Sequence, residues 1–350
     1  MKLTYRPKTE KTFIKRYEGK PISDIFEDEV FKRKKTYAII TDTNIAKIYR
    51  KELENLPEDF FIIAIDPGET SKRLSTIEKL VSKLAKEGVT RNDVVIALGG
   101  GTIGDISGFV ASIYMRGIEF IQIPTTLLAM CDASIGGKNG VDTSEGKNMI
   151  GTFYQPAAIF VQPAFLKTLP GEQLKNGLAE AIKMGAIMDK SLFTFIENNY
   201  KNILKKDTKI LNNIIEQCIK LKGKIVSKDM KETNLRKKLN YGHTIGHAIE
   251  KASGYSYQHG VAISMGMMLE NIIALNKKIT QKEVTHKITS LLKKIGLPVT
   301  APKAIKEKAR KALRSDKKRD RETITMYLPI SLGKSKAYQI PLNEIERVLL

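Results

Sequence analysis

The segment VVIALGGGTIGD, residues 94–105, constrains the fold more than any other. An apolar run, Val94–Leu98, ends in Gly99, Gly100 and Gly101, with Gly104 shortly after. Gly99, Gly101 and Gly104 fit the G-x-G-x-x-G spacing between a strand and a helix. Glycines let a backbone approach a pyrophosphate, and a helix start offers free N–H groups and the positive end of its dipole. A tight turn without a ligand would use the same residues, but the strand–turn–helix setting favours phosphate binding. Around it, Tyr37–Thr41, Phe61–Asp66 and Phe120–Pro124 read as strands, and Thr70–Glu87 repeats apolar residues at helical spacing. Strands alternating with helices predict a doubly wound parallel sheet.

The second half has another texture. Glu172–Lys228 is helix-like almost throughout, and Gly242–Ala252 and Gly260–Asn276 are further helix candidates. Thr323–Leu328 is a strand candidate. The Pro-bearing connection Pro163–Pro170 divides the two textures. We therefore expect an α/β domain over residues 1–165 and a mainly helical domain over residues 166–350.

Charge is the unusual part of the composition. Lys and Arg total 59 against 38 Asp and Glu, a net charge of +21. Such an excess attracts nucleic acid, anionic membranes or acidic small molecules. Much of it is local: Lys303–Glu322 carries ten basic and four acidic residues. That stretch has no interleaved aromatics and no nucleic-acid module, so a solvated helix face is the better reading and no specific nucleic acid is expected. No window approaches a spanning helix, so no membrane is expected. The opening MKLTYRPKTEKTF lacks an apolar run, so no secretory signal is expected. Cys131 and Cys218 cannot build a disulfide framework or a thiolate zinc cage, which suits a reducing cytoplasm.

Histidine is scarce and clustered. Of four histidines, His243, His247 and His259 lie within seventeen residues. His243 and His247 share a helix face, and such a pair commonly binds zinc. Glu180, in the apolar stretch GLAEAIKMG, is a candidate third ligand, since a carboxylate there needs a partner; pairing with Lys183 one turn later would also satisfy it. His286 reads as a surface residue, and Met265, Met267 and Met268 as core packing. Lys138, Lys147, Arg116 and Arg236 lie in glycine-rich or polar loops suited to phosphate or carboxylate recognition. For a ribose, the usual search beyond the glycine turn selects Glu119, which precedes a strand. Asp42, ending the strand YAIITDT, is better placed.

Taken in order, GGGTIGD, YMRG, IPTTLLAMCDASIGGKNGVDTSEGKNMIGTFYQP, GLAEAIKMG, LRKKLNYGHTIGHAIE and QHG closely resemble the 3-dehydroquinate synthase family. The likeness extends from about Asp42 to Pro329. It implies a Rossmann-like NAD-binding domain followed by a mainly helical domain. It also implies a lyase of the shikimate pathway that turns 3-deoxy-arabino-heptulosonate 7-phosphate into 3-dehydroquinate and phosphate, using NAD and zinc or cobalt.

By this resemblance the metal ligands would be Glu180, His243 and His259, with His247 a pocket residue instead of a ligand. NAD would lie against Gly99–Asp105, including Gly100, Gly101, Gly104 and Asp105. Asp42, Asn44, Glu69 and Lys72 would hold its adenosine end, and Thr125 and Thr126 would contact it further along. Lys138, Lys147, Asn148, Phe165 and Thr168 would border the nicotinamide. Asp132, Lys138, Asn148, Lys183, Lys222, Glu232, Arg236, Asn240 and His247 would form the catalytic and sugar-phosphate-binding set, with Lys317 or Lys318. Arg116 would reach the substrate phosphate of a neighbouring subunit, the family being usually a homodimer. Met130, Cys131, Asn139 and Glu322 depart from the family's usual residues. A related sugar-phosphate cyclase and a metal-dependent alcohol dehydrogenase share this architecture. Arg236 with Asn240, suited to a carboxylate, favours the dehydroquinate reading.

Overall fold

The computed structural model describes residues 2–5, 12–20, 22–315 and 322–350. The chain divides after Leu169, except that Lys222–Lys228 belongs with the first unit. Among the described residues the first unit holds nine strands: β1 (Lys2–Tyr5), β2 (Thr12–Arg16), β3 (Tyr37–Asp42), β4 (Phe60–Ile65), β5 (Val94–Gly99), β6 (Glu119–Pro124), β7 (Lys138–Val141), β8 (Ile150–Phe153) and β9 (Ala158–Val161). Seven of them form one sheet in the order β1-β2-β9-β6-β5-β3-β4. All neighbours in it are parallel except β1 with β2. β7 and β8 make a separate antiparallel hairpin.

β5 is buried at every position, as an unbroken apolar run between parallel neighbours requires. The helices Leu74–Lys86 and Gly101–Ile113 cover the sheet, and Leu80, Leu84, Ile106 and Val110 meet Ile40, Val95 and Phe120 in the core. The chain runs outward from β3 to β4, then returns to the other side of β3 as β5. That reversal is a topological switch point, and the crevice beyond the carboxyl ends of β3 and β5 is where such sheets take ligands. Asp42 ends β3 and Gly99 ends β5.

The expected strands differ from β3, β4, β5 and β6 by a residue or so at either end. The helix expected across Thr70–Glu87 is narrower: a single tight turn covers Glu69–Ser71, and the helix proper is Leu74–Lys86. β1, β2, β7, β8 and β9 were not expected.

The second unit contains the helices Gly171–Met188, Lys190–Leu204, His243–Ala252, His259–Asn276, Lys282–Ile295 and Lys303–Ser315, with most of Thr208–Val226. It also holds one antiparallel hairpin, β10 (Thr323–Ser331) and β11 (Lys334–Pro341), of which only the first strand was expected. Ile245, Ile249, Met265, Leu269, Leu328 and Ile340 share its core. Met265, Met267 and Met268 are buried, as core packing predicts, and His286 is exposed. No described helix is long and apolar enough to cross a membrane.

Candidate active site

In the first unit the glycine turn links β5 directly to the helix Gly101–Ile113. A Cβ on Gly100 would lie 3.0 Å from Thr126 Cγ2, and one on Gly101 would lie 3.3 Å from Ala133 Cβ. A Cβ on Gly104 would lie 3.2 Å from Gln122 Oε1. These glycines answer to close approach, not to unusual dihedrals. The helix start leaves its first amides without helical partners, as a pyrophosphate site requires. Thr125 donates its N–H to the Gly99 carbonyl at 2.9 Å, bringing Thr125 and Thr126 beside the turn.

Around the turn the charges are already engaged. Lys72 is buried, and its Nζ lies 2.5 Å from Asp105 Oδ2 and 2.6 Å from Asn148 Oδ1. Glu69 accepts from the Thr102 hydroxyl at 3.0 Å and faces Lys147 at 3.4 Å. Burial works to lower the pKa of Lys72, but Asp105 and Glu69 outweigh it and raise it. Burial raises the pKa of Asp105 despite Lys72. Asn148 sits in the left-handed region at φ 55°. Asp42 caps the short helix Thr43–Ile48, accepting from Asn44 N at 2.9 Å and Ile45 N at 3.0 Å through one oxygen. Its other oxygen suits a ribose hydroxyl. Glu119 instead pairs with Arg33 and Lys35 at the opposite end of its strand.

Lys222 holds Asp132 twice, at 2.7 Å to Oδ1 and 2.6 Å to the main-chain carbonyl. Lys138 is exposed at the start of β7. Phe165 is buried edge-on against Tyr49, whose hydroxyl is 3.0 Å from Thr168 Oγ1. Arg116 stands exposed on the turn after the helix Gly101–Ile113. The glycine turn is at the other end of that helix, about 20 Å away by its rise per residue, so Arg116 is not brought to the turn of its own chain.

In the second unit three elements deliver side chains to one point. Glu180 is fully buried on Gly171–Met188, ion-paired to the equally buried Lys183. His243 Nε2 and His259 Nε2 approach Glu180 Oε1 at 3.6 and 3.4 Å. Neither Glu180 oxygen has a well-formed hydrogen bond; it is faced by an ammonium and two imidazoles. His243 Nδ1 lies 3.3 Å from the Tyr241 carbonyl, an arrangement that places its proton there and leaves Nε2 a lone pair. His259 Nδ1 faces Glu250 Oε2 at 3.5 Å, the carboxylate–histidine arrangement that orients metal ligands. Burial, then Lys183, depress the pKa of His243 and keep it neutral. Burial opposes the charge on Glu180, but Lys183 and His259 outweigh it and hold its pKa low.

The ligand atoms of Glu180, His243 and His259 lie within 4.8 Å of one another. A buried carboxylate with two imidazoles fits a catalytic zinc or cobalt site with an open position. His247, Glu250 and His259 form a second such group, but it shares His259. His247 lies 3.9 Å from Glu250 and is largely exposed, a position for meeting a substrate. Neither group holds both His243 and His247, the pair that helical spacing selects; His259, from the next helix, joins His243 in the more buried one.

Beside the triad, Asn240 donates to Glu232 Oε1 at 2.5 Å, and Arg236 Nη1 donates to the Met230 carbonyl at 2.5 Å. Asp229 accepts the N–H groups of Thr233, Asn234 and Arg236, so one carboxylate shapes the loop. Lys317 and Lys318 lie outside the described residues. Glu270 and Asn176 are among the buried polar residues missed from sequence. Glu270 interrupts the apolar helix segment MGMMLENIIAL, the same signal that marked Glu180. Asn176, one turn before Glu180, has no comparable signal.

The family profile described as 3-dehydroquinate synthase N-terminal matches residues 62–176, and that described as 3-dehydroquinate synthase C-terminal matches residues 177–319. The 3-dehydroquinate synthase of Thermoanaerobacter sp. (strain X514) is 44% identical over 316 residues, 89% of each chain. That of Thermodesulfovibrio yellowstonii is 45% identical over 326 residues, 91% of each. A crystal structure of 2-deoxy-scyllo-inosose synthase with carbaglucose-6-phosphate, NAD+ and Co2+ superposes with a TM-score of 0.88 at 26% identity, covering 100% of this chain and 99% of that one.

Proposed function

The chain belongs to the 3-dehydroquinate synthase family, and from that we propose how its side chains divide the reaction. The enzyme converts 3-deoxy-D-arabino-heptulosonate 7-phosphate to 3-dehydroquinate and phosphate, a lyase step of the shikimate pathway that feeds chorismate and the aromatic amino acids. When bound, NAD supplies a reversible hydride acceptor and zinc or cobalt a Lewis acid for a substrate hydroxyl.

Glu180, His243 and His259 hold the metal; the convergence of their ligand atoms within 4.8 Å of one another is the observation that carries this reading. Asp42, Asn44, Glu69 and Lys72 bind the adenosine end of NAD. Gly100, Gly101, Gly104 and Asp105, with Thr125 and Thr126, take its diphosphate and adjoining ribose. Lys138, Lys147 and Asn148, with Phe165 and Thr168, orient the nicotinamide. Arg236 and Asn240 bind the substrate carboxylate, with Glu232 holding Asn240 in place. Lys138, Lys183 and Lys222 bind oxygen anions, with Asp132 positioning Lys222. His247 is exposed enough to move a proton at Nε2. Phosphate departs by elimination, itself accepting the neighbouring C–H proton. The protein's part is orientation and fixed charge.

The active form is a cytoplasmic homodimer in which Arg116 serves the partner's phosphate site; its position far from its own glycine turn supports this. The decisive assay incubates the protein with the heptulosonate phosphate, catalytic NAD and zinc. Phosphate and dehydroquinate should form together while NADH stays below the enzyme concentration. Stoichiometric NADH without phosphate would mean a dehydrogenase. Turnover of a heptulose 7-phosphate lacking the carboxylate, in preference to the acid, would mean a sister cyclase.

A further inference from the structure

The helices that begin at His243 and His259 both start without a cap of their own. Neither Gly242 nor Gln258, the residue preceding each, gives a side-chain hydrogen bond to the turn it opens. A helix start has several amides without helical partners, and burying them uncompensated is costly.

Here the partners come from neighbouring ligand-bearing helices. Glu270 Oε2 accepts the N–H of Gly242 at 2.8 Å. Glu270 lies on His259–Asn276, about three turns beyond His259. Its neighbour Asn271 accepts from the Tyr241 hydroxyl at 2.7 Å, and the Tyr241 carbonyl faces His243 Nδ1. The two residues before His243 are thus gripped from one helix. Asn176 Oδ1 accepts the N–H of Gly260, next to His259, and lies on Gly171–Met188 one turn before Glu180. The helix of Glu180 caps that of His259, and the helix of His259 caps that of His243.

Packing alone does not account for these residues. Glu270 is 1% exposed in a segment otherwise rich in Met, Leu and Ile, where an apolar side chain of similar volume would bury at no polar cost. Asn176 is also buried.

We propose that Asn176 and Glu270 are positioning residues that hold Glu180, His243 and His259 converged before an ion arrives. The inference rests on the triad being the metal site.

The test measures zinc affinity of the metal-free full-length protein by chelator competition, and the visible spectrum of the cobalt form. Wild type should bind one ion, and His243→Ala should lose it; if wild type binds none, the triad reading fails before the caps are in question. Given that control, Glu270→Leu and Asn176→Leu should each weaken zinc binding by about 10–100-fold, as loss of outer-shell partners does. Glu270→Gln and Asn176→Asp keep an acceptor and should restore wild-type affinity and the wild-type cobalt spectrum. Leucine variants that fold and bind zinc as tightly as wild type would overturn the proposal. So would an equal loss in the Gln and Asp variants. If neither leucine variant folds, the cobalt spectrum of Glu270→Gln decides: an unchanged spectrum supports the proposal, and an altered one overturns it.

Discussion

The two units organise their chemistry in opposite ways. The first relies on main chain: a strand end, a glycine turn and a helix start, with Lys72, Asp105, Glu69 and Asn148 paired beside them. The second relies on side chains converging from separate helices on a buried carboxylate. The first arrangement is local in the chain and tolerates side-chain variety. The second depends on the placement of distant segments, so a single truncation should remove its ligand altogether.

Breaking the comparison starts from the metal half. His259→Ala should lower zinc affinity by more than about a hundredfold, roughly 2.7 kcal/mol, while NAD binding measured by calorimetry stays unchanged. Loss of both affinities would show that the units do not work separately. In the nucleotide half, Lys72→Met should cost about 2 kcal/mol in denaturant unfolding. It strands Asp105, whose partial exposure softens the 3–5 kcal/mol of a fully buried broken pair. A cost near zero would mean that the network contributes little to the fold. Gly100→Val should weaken NAD by about tenfold, or 1.4 kcal/mol, with zinc content unchanged, because the added carbons press on Thr126. Unaltered NAD affinity would remove the glycine turn from the site.

The smallest effect concerns acid. Burial opposes the charge on Asp229, but the N–H groups of Arg236, Asn234 and Thr233 outweigh it and lower its pKa to about 2. A carboxylate with a depressed folded-state pKa stabilises fully above its unfolded value of about 4. That stabilisation is lost as pH falls towards about 2. Asp229→Asn should therefore cost about 1 kcal/mol near neutrality and flatten the stability curve over that acid window. Parallel curves for the two proteins would contradict this sign.

The halves also differ in how they show in the sequence. The strand–glycine–helix signal is contiguous, so β3 to β6 and the turn were readable from residue order alone. β9 has four residues and β2 only five, and glycines interrupt β7 and β8; such pieces carry too little periodicity to stand out. In the histidine cluster, spacing exposed the His243–His247 pair but not the approach of His259 to His243 and Glu180, which depends on how two helices pack. The family resemblance supplied that grouping. A carboxylate in an apolar helix segment marks Glu270 as needing a partner, but neither it nor Asn176 shows in residue type that the partner is a backbone amide.

The helices of His243 and His259 meet at glycine. A Cβ on Gly266 would collide with the Gly242 carbonyl and lie 2.7 Å from Gly246 N, and one on Gly246 would lie 2.7 Å from Ile263 Cδ1. At Gly266 main chain rests on main chain, which fixes how near the two imidazole-bearing helices stand. Any methyl gained at Gly266 would have to be answered by a shift of an entire helix, and with it of an imidazole.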